Sequence, residues 1–265
     1  MTCREWNAEE YHRLSDPQFG WGLKVLKRLQ MLPIRGDERV MDAGCGTGRV
    51  TRELLKLLPG GSVVGVDLSA NMLSQARGNL ESEFKGRIRF VNADLQSLPF
   101  HEEFDGVFST AVFHWAKDHG RLFRSISNAL IQGGWLIAQC GGKGNLERVR
   151  SRVRALQTTT PYAKYFKGWS EPWEYADTAV TQERLHAAGF VRVKTWLEDA
   201  TFSISDRSNY REFLRTVIAR ANLEQMPHSE IRDQFLDELT EQAAREDGFT
   251  LDYCRLNIGA RKSAS

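Results

Sequence analysis

Short apolar runs alternate with longer segments of helical spacing between residues 39 and 140. The apolar runs predict buried strands at residues 40–42, 62–66, 88–91, 105–108 and 135–138. Between the runs, apolar side chains recur every three or four residues, as they do at Met72, Leu73, Ala76 and Leu80 after the expected N-cap residue Ser69. This alternation predicts an α/β fold, in which helices cover both faces of a doubly wound, largely parallel sheet.

The pattern becomes irregular beyond residue 140. Residues 141–180 are rich in aromatic side chains, residues 181–188 have helical spacing, and residues 191–196 resemble a strand. Residues 206–247 are again helical, and residues 249–260 form a strand-like run. We therefore predict a single domain over residues 1–265, built from an N-terminal lid and helix (1–38), a binding core (39–140) and two cap insertions (141–180 and 206–247).

Composition and charge narrow the range of partners. The chain has 265 residues, of which 41% are hydrophobic and 26% charged, as in an ordinary globular protein. Its 36 basic and 34 acidic residues are interspersed and leave a net charge of +2, so we expect no nucleic-acid partner. No apolar stretch approaches the ~20 residues of a membrane-spanning helix, and the first residues do not resemble a signal peptide. We therefore expect no membrane partner either.

The four cysteines indicate a reducing environment. Cys3, Cys45, Cys140 and Cys254 lie far apart and lack the close spacing of metal-ligand pairs. This pattern predicts neither a metal site nor the disulfide framework of a small secreted protein. A cytoplasmic location is the expectation that follows.

A glycine-rich loop follows the first predicted strand, in the sequence Asp42-Ala-Gly-Cys-Gly-Thr-Gly48. Glycine lets the backbone turn sharply and approach a ligand closely. The spacing is GxGxG, whereas the pyrophosphate loop of dinucleotide-binding proteins has GxGxxG. An acidic residue two positions before the first glycine suits a ligand with a cationic amino group better than a pyrophosphate. The loop alone is also compatible with a structural tight turn.

Two further acidic residues follow the next two predicted strands. Asp67 lies 25 residues after Asp42, where a carboxylate can accept hydrogen bonds from both hydroxyls of an unphosphorylated ribose. Asp94 follows the third strand, where it can accept from an adenine amino group. Each acid alone would fit a helix cap. Three acids at successive strand ends, beside a glycine loop, indicate a nucleoside cofactor.

In these motifs the sequence resembles the class I S-adenosylmethionine-dependent methyltransferases. The resemblance rests on residues 40–48, 64–69, 92–94 and 130–134. It implies S-adenosylmethionine as the cofactor and a seven-stranded mixed sheet of order 3-2-1-4-5-7-6, whose last strand is antiparallel. Residues 249–260 fit that last strand.

The resemblance also implies a set of cofactor-binding residues. Asp42 would orient the methionine amino group, Asp67 would hold the ribose, and Asp94 would face the adenine amino group. The other members flank the adenine, pass beneath the cofactor, line its methionine part or close over it; they are Tyr11, Gln18, Gly44, Cys45, Gly46, Gly48, Leu68, Met72, Ala93, Leu95, Ser109, Thr110 and Ala111.

A narrower resemblance is to small-molecule carboxyl methyltransferases, the group of the trans-aconitate, malonyl-acyl-carrier-protein and juvenile-hormone-acid enzymes. It rests on Trp6-Asn7 with Tyr11, on Phe113-His-Trp115 with Asp118, and on the aromatic segment 162–173. It implies methyl transfer to a carboxylate oxygen of a small molecule, without singling out one acid.

His114 and Trp115 are the candidate catalytic residues. A carboxylate acceptor is ionised at neutral pH and needs no general base, whereas an alcohol or phenol needs one. His114 is a candidate base or hydrogen-bond donor, and a packing role is an equal alternative. Trp115 is either a wall that attracts the sulfonium through a cation–π contact or a core residue. The series Arg211, Arg215 and Arg220 is a candidate carboxylate site or a solvated helix face.

The sequence leaves other functions open. A nitrogen, carbon or hydroxyl acceptor is compatible with the same cofactor motifs, and so is a protein that binds S-adenosylmethionine without catalysis. Scattered cysteines disfavour arsenic methylation, and the missing GxGxxG spacing disfavours a dehydrogenase. The methyl acceptor and the oligomeric state are not determined by the sequence.

Overall fold

The central element is a seven-stranded mixed sheet. The computed structural model describes residues 16–264. The strands in this range are β1 (Arg39–Ala43), β2 (Ser62–Asp67), β3 (Ile88–Asn92), β4 (Phe104–Thr110), β5 (Leu130–Gly141), β6 (Phe190–Asp199), β7 (Phe202–Ser203), β8 (Thr250–Leu251) and β9 (Cys254–Lys262). The sheet has the order β3-β2-β1-β4-β5-β9-β6, and β9 is antiparallel to both of its neighbours. Since β9 is the seventh strand of this sheet along the chain, the predicted order is confirmed.

Helices connect the strands and cover the sheet. They are α1 (Asp16–Leu29), α2 (Arg49–Leu57), α3 (Ala70–Leu80), α4 (His119–Ala129), α5 (Glu147–Gln157), α6 (Thr178–Ala187), α7 (Arg207–Phe213), α8 (Arg220–Leu223) and α9 (Ser229–Glu246), with a π-helical turn at Leu214–Ile218. The Ser69 hydroxyl accepts a hydrogen bond from the backbone N–H of Met72, which confirms the predicted N-cap of α3. None of the helices within residues 16–264 is long and apolar enough to cross a membrane.

Side-chain alternation along the strands gives the sheet two buried faces. In β1, Val40 belongs to a hydrophobic cluster that includes residues of α1, α2 and α3. Its neighbour Met41 belongs to a second cluster, which includes residues of α4 and α6. Both side chains are fully buried, as expected for a strand in the middle of a doubly wound sheet.

A third hydrophobic cluster lies outside these two faces. It joins Trp21 of α1 to residues of α5 and of α7, α8 and α9, with Tyr162 and Phe235 among its fully buried members. We call α5 together with α7–α9 the helical layer. The cluster explains why the aromatic segment after residue 160 has no clear periodicity, because its rings fill gaps between helices. The domain boundaries given above stay predictions.

The structure corrects three local expectations. The strand expected at residues 135–138 is longer and spans Leu130–Gly141, because Leu130 already pairs with Phe104 before a bulge. Helix α5 occupies residues that were expected to be irregular. The run 249–260 divides into β9 and the short strand β8, which pairs with β7 in a separate two-stranded sheet.

A substitution at Gly106 in β4 tests how closely the sheet is packed. A Cβ atom there would lie 2.0 Å from Cε2 of the buried Trp135 ring. We expect Gly106→Ala to lower the free energy of unfolding by about 1–3 kcal/mol through overpacking, as measured by urea denaturation. The matched variant is Gly78→Ala in α3, where a Cβ has no atom within 4 Å, and where alanine should stabilise the helix by about 0.5–1 kcal/mol. Equal effects at the two positions would contradict this account.

Candidate active site

A cleft of about 830 Å³ opens at the carboxyl ends of the parallel strands. Asp42 of β1, Asp67 of β2 and Thr110 of β4 contribute to its wall. Parallel strands bring their carboxyl ends to one edge of the sheet, which is the usual place for ligands in open α/β folds. The π-helical turn and α8 supply another part of the wall, including Val217, Ile218 and Ala221.

The glycine loop forms part of the wall with its backbone. Gly44 has a φ of 82° and lies so close to Val112 that a Cβ would be 2.2 Å from Cγ2 of that valine. Gly46 also has a positive φ, of 54°, but a Cβ there would meet no atom within 4 Å. The space beside Gly46 therefore belongs to the cleft, and the loop can approach a ligand without a side chain between them.

Asp67 links the glycine loop to β2. Its two carboxylate oxygens accept hydrogen bonds from the backbone N–H groups of Gly46 and Ser69, each at 2.9 Å. Each carboxylate oxygen has two lone pairs, so an oxygen that accepts one hydrogen bond can accept a second. The carboxylate is thus held in a fixed orientation beside the glycine loop.

Asp42 lies at the base of the cleft and is only 2% exposed. It accepts a hydrogen bond from the Thr51 hydroxyl at 2.6 Å. Burial raises the pKa of Asp42 to about 7, the Thr51 hydrogen bond opposes this rise, and the negative charge of Asp67 adds to it. A buried carboxylate with such a pKa gains a proton easily, and it is stabilised as an anion by a nearby cation.

Asp94 serves as the N-cap of a 3-10 turn. Its Oδ1 accepts from the backbone N–H of Gln96 at 2.9 Å, and both of its oxygens lie within 3.4 Å of the Gln96 side-chain amide nitrogen. Asp94, Leu95 and Gln96 all contribute to the cleft wall. The capping role and a ligand-binding role are therefore compatible at this residue.

Most of the residues proposed from the sequence meet in this one cleft. Those that line it are Gln18, Asp42, Gly44, Cys45, Gly46, Asp67, Leu68, Met72, Asp94, Leu95, Thr110, Ala111, His114 and Trp115. Tyr11, Trp6 and Asn7 lie outside the described residues.

Three proposed cofactor residues do not line the cleft. Gly48 faces α3, since a Cβ there would lie 2.7 Å from Cδ1 of Leu80. Ala93 packs against the hydrophobic cluster that includes α4 and α6. The buried Ser109 hydroxyl donates to the Ala43 carbonyl at 2.6 Å and so ties β4 to β1. Each of the three thus has a structural contact, and its assignment to the cofactor stays a prediction.

His114 is held in one protonation state. Its Nδ1 accepts a hydrogen bond from the backbone N–H of Gly141 at 3.3 Å. Burial lowers the pKa of His114 well below its usual value, and the positive charges of Arg255 and His119 add to this effect. The imidazole is therefore neutral and carries its proton on Nε2, so that Nε2 acts as a hydrogen-bond donor.

Aromatic rings surround His114. The imidazole lies 5.2 Å from the Trp115 ring and 5.5 Å from the Tyr175 ring, measured between centroids. Trp173 packs edge-on against Trp115 and stacks on Tyr175. All of these rings line the cleft. The dense packing explains the position of Trp115, which is both part of an aromatic cluster and part of the cleft wall.

The arginines proposed from the sequence do not contribute to the cleft. Arg211 forms ion pairs with Asp233 and Asp237, while Arg215 and Arg220 pair with neighbouring glutamates on the same helical segment. They form a solvated face, which was the alternative interpretation.

Three other arginines line the cleft, namely Arg49, Arg150 and Arg255. Sequence reasoning missed all three. Arg255 could have been noticed in the sequence, because it is a charged residue close to apolar positions of a strand. Leu256 and Ile258 of the same strand are fully buried. Arg150 lies on α5, which was not predicted, so no periodicity was available to place it.

The sheet order, the glycine loop and the three acidic residues at the strand ends agree with the resemblance to class I S-adenosylmethionine-dependent methyltransferases. Residues 41–138 match the family described as "Methyltransferase domain".

Two curated relatives are similar over about half of the chain. One is the malonyl-[acyl-carrier protein] O-methyltransferase of Legionella pneumophila, 36% identical over 49% of this chain and 45% of the relative. The other is the trans-aconitate 2-methyltransferase of Rhodopseudomonas palustris, 32% identical over 51% of this chain and 50% of the relative. The chain thus spans about half the length of these relatives.

A solved structure is similar over nearly the whole chain. Phosphoethanolamine N-methyltransferase 2 of Haemonchus contortus, in complex with phosphomonomethylethanolamine and S-adenosylhomocysteine, has a TM-score of 0.62. The similarity covers 97% of this chain and 57% of that chain, at 20% sequence identity. At this identity the similarity concerns the fold.

Substitutions of Ser109 and its neighbour Thr110 test which of the two residues belongs to the cleft wall. Because the Ser109 hydroxyl satisfies a buried carbonyl, we expect Ser109→Ala to cost about 1–3 kcal/mol of unfolding free energy in urea titrations. The dissociation constant of S-adenosylmethionine should stay within twofold of the wild-type value in calorimetric titration. Thr110→Ala is the matched variant at the cleft wall. It should lower the unfolding free energy less than Ser109→Ala does and should weaken cofactor binding. Weaker binding by Ser109→Ala alone would contradict the assignment.

Proposed function

We propose that the protein transfers the methyl group of S-adenosylmethionine to a carboxylate oxygen of a small-molecule acid and so forms a methyl ester. The observation that carries the proposal is the fixed neutral state of His114, whose Nδ1 is occupied by the Gly141 N–H. An acceptor that loses no proton suits this arrangement best. The names of the two curated relatives, which refer to malonyl and trans-aconitate substrates, support an acid as the acceptor.

The cofactor fits the acidic half of the cleft. S-adenosylmethionine supplies an electrophilic methyl carbon on a sulfonium centre. In the proposed arrangement, Asp42 binds the methionine ammonium group, Asp67 accepts from the ribose hydroxyls, and Asp94 faces the adenine amino group. The open space beside Gly46 and the buried Asp42 carboxylate support this fit, because the first accommodates a ligand and the second favours a cationic one.

The acceptor chemistry follows from the charge states around His114. In the proposed step, a carboxylate oxygen forms a bond to the methyl carbon while the carbon–sulfur bond breaks and its electron pair stays on sulfur. No proton moves, so the Nε2–H of His114 has only to donate to the acceptor and orient it. An alcohol would require a base, and an ammonium acceptor would be repelled by Arg255, whose positive charge also acts on His114. Orientation and the exclusion of water then supply the catalysis.

The proposal includes a small-molecule partner and a location in the cytoplasm. A cleft of this size suits a small molecule, and no nucleic-acid partner is invoked. Cys45, Cys140 and Cys254 carry free thiols, which is consistent with a reducing cytoplasm.

Product analysis tests the reaction type. The protein is incubated with methyl-labelled S-adenosylmethionine and a panel of carboxylic acids, phenols and amines. We expect label in a carboxylic-acid product that releases labelled methanol on treatment with base, as a methyl ester does. Label only in base-stable phenol or amine products, or no transfer to any member of the panel, would refute the proposal.

Variants of His114 distinguish a hydrogen-bond donor from a general base at this position. We expect His114→Gln, which keeps a donor, to retain most of the turnover, and His114→Leu to lose about 10- to 100-fold through the missing hydrogen bond to a charged group. Because the pKa of His114 is well below its usual value, kcat should not rise with pH between 6 and 8. A tenfold rise per pH unit in this range, abolished in both variants, would identify a general base instead.

The pKa of Asp42 predicts a pH-dependent cofactor affinity. Below pH 7 the carboxyl group is protonated and must release its proton to pair with the methionine ammonium, so affinity should fall about tenfold per pH unit below 7 and level off above it. Thr51→Val removes the hydrogen bond that lowers this pKa, and it should move the bend in the curve to higher pH. Calorimetric titrations between pH 5.5 and 8.5 measure both effects. A pH-independent affinity in the wild type would show that Asp42 does not bind the ammonium group.

A further inference from the structure

One buried cation lies on the side of the cleft opposite the cofactor acids. Arg255, on β9, is 3% exposed and lines the cleft. It pairs in register with Gly141 of β5, the residue whose N–H binds His114. The charge of Arg255 disfavours the cationic form of His114, which agrees with this closeness. The arginine and the imidazole are therefore both next to Gly141.

The orientation of Arg255 is fixed by stacking. Its guanidinium carbon lies 4.5 Å from the centroid of the Trp21 ring, so one face of the cation is covered. A stacked guanidinium presents its N–H groups along its edge, and this edge matches the two oxygens of a carboxylate. Trp21 also lines the cleft, on the wall supplied by α1.

Other basic side chains at the cleft are less suited to an acceptor. Arg150 forms ion pairs with Glu147 and Glu171, and its guanidinium lies over the Tyr175 ring. Arg49 forms an ion pair with Asp16 and follows the glycine loop, on the cofactor side. Lys117 is exposed to solvent, where a point charge binds an anion weakly. Arg255 combines burial with a place beside His114.

Most of the wall beyond His114 and Arg255 is apolar, and Glu224 and Gln225 add polar side chains at its solvent-exposed edge. Trp169 and Pro172 contribute from the aromatic segment, and Leu146 precedes α5. Val217, Ile218 and Ala221 contribute from the π-helical turn and α8. Burial of a hydrocarbon body against such a wall is favourable by about 25 cal/mol per Å². Further carboxylates of a polyacid would be desolvated there without a partner, which is costly.

We infer that Arg255 binds the carboxylate of the methyl acceptor and that this acceptor is a monocarboxylic acid with an apolar acyl or aromatic body. The inference rests on the proposed function and adds the residue that recognises the acid and the class of acid recognised. Arg255 receives the carboxylate on one side, the Nε2–H of His114 orients it from the other, and the apolar wall takes the rest of the molecule.

The first experiment compares acids with the wild-type enzyme. Initial rates of ester formation are measured for medium-chain fatty acids, phenylpropanoic acid, succinic acid and a tricarboxylic acid. We expect kcat/KM to be at least tenfold higher for the apolar monoacids than for the polyacids. Higher rates with the polyacids would overturn the inference and leave the proposed function intact. Ester formation with none of the acids would instead refute the proposed function.

The second experiment tests Arg255 itself. We expect Arg255→Gln to raise KM for the acid by about 10- to 100-fold, with a smaller change in kcat and an unchanged dissociation constant for S-adenosylmethionine. Arg255→Lys keeps the charge and should recover part of the affinity, whereas Lys117→Gln, at the exposed edge, should change KM by less than twofold. An unchanged KM in Arg255→Gln, or an equal rise in Lys117→Gln, would overturn the assignment.

A third variant keeps the inference testable if Arg255→Gln does not fold. Ala221 is buried on α8 and lines the cleft, so Ala221→Phe fills part of the apolar wall. We expect it to lower kcat/KM at least tenfold for long apolar acids while acids of two to four carbons are affected less than threefold. Equal losses for short and long acids would contradict an apolar body in this part of the cleft.

Discussion

The site depends on the way in which the glycine loop is fastened to β2. The backbone N–H groups of Gly44 and Cys45 donate to the Val66 carbonyl at 2.7 and 3.1 Å, and the N–H of Gly46 donates to the Asp67 carboxylate. These hydrogen bonds require positive φ angles and the absence of a side chain where Gly44 meets Val112. The loop, the carboxylate and the strand end therefore form one rigid unit. The Asp67 carboxylate is oriented by backbone N–H groups, which hold a position more reliably than side chains do.

A second fixed point lies on the acceptor side, at Gly141. Its N–H fixes the imidazole of His114, and a Cβ at this position would lie 2.5 Å from the Tyr175 ring. Antiparallel pairing also brings Arg255 opposite this residue. Residues from β5, β9, the turn after β4 and the aromatic segment thus converge on one glycine. The antiparallel strand β9 does more than close the sheet, because it brings a cation next to the donor.

The sequence was sufficient to predict the sheet and the meeting of the three acidic residues, and insufficient to predict the residues around His114, for a physical reason. The strand order, the N-cap at Ser69 and the meeting of Asp42, Asp67 and Asp94 depend on local periodicity and on the rule that parallel strands end at one edge. The tautomer of His114 depends on the N–H of Gly141 in the next strand, and the place of Arg255 depends on strand pairing with the same glycine across more than 100 residues of chain. Ser109 is a different case. The motif groups it with Thr110 and Ala111, which line the cleft, whereas the Ser109 hydroxyl donates to the Ala43 carbonyl within the sheet. Whether a strand residue faces the cleft depends on side-chain alternation along the strand, which a motif does not show.

In the proposed reaction, the cleft separates a cofactor region, which contains three carboxylates besides Arg49, from an acceptor region that contains Arg255. The cofactor is a cation at its sulfonium and ammonium groups, and the half that suits it contains Asp42, Asp67 and Asp94. The proposed acceptor is an anion, and its half contains Arg255 and a neutral imidazole. Methyl transfer neutralises both ligands at the reacting atoms, since a sulfonium and a carboxylate become a thioether and an ester. Both products are then less strongly attracted than the reactants were, so the charges that assemble the reactants do not retain the products.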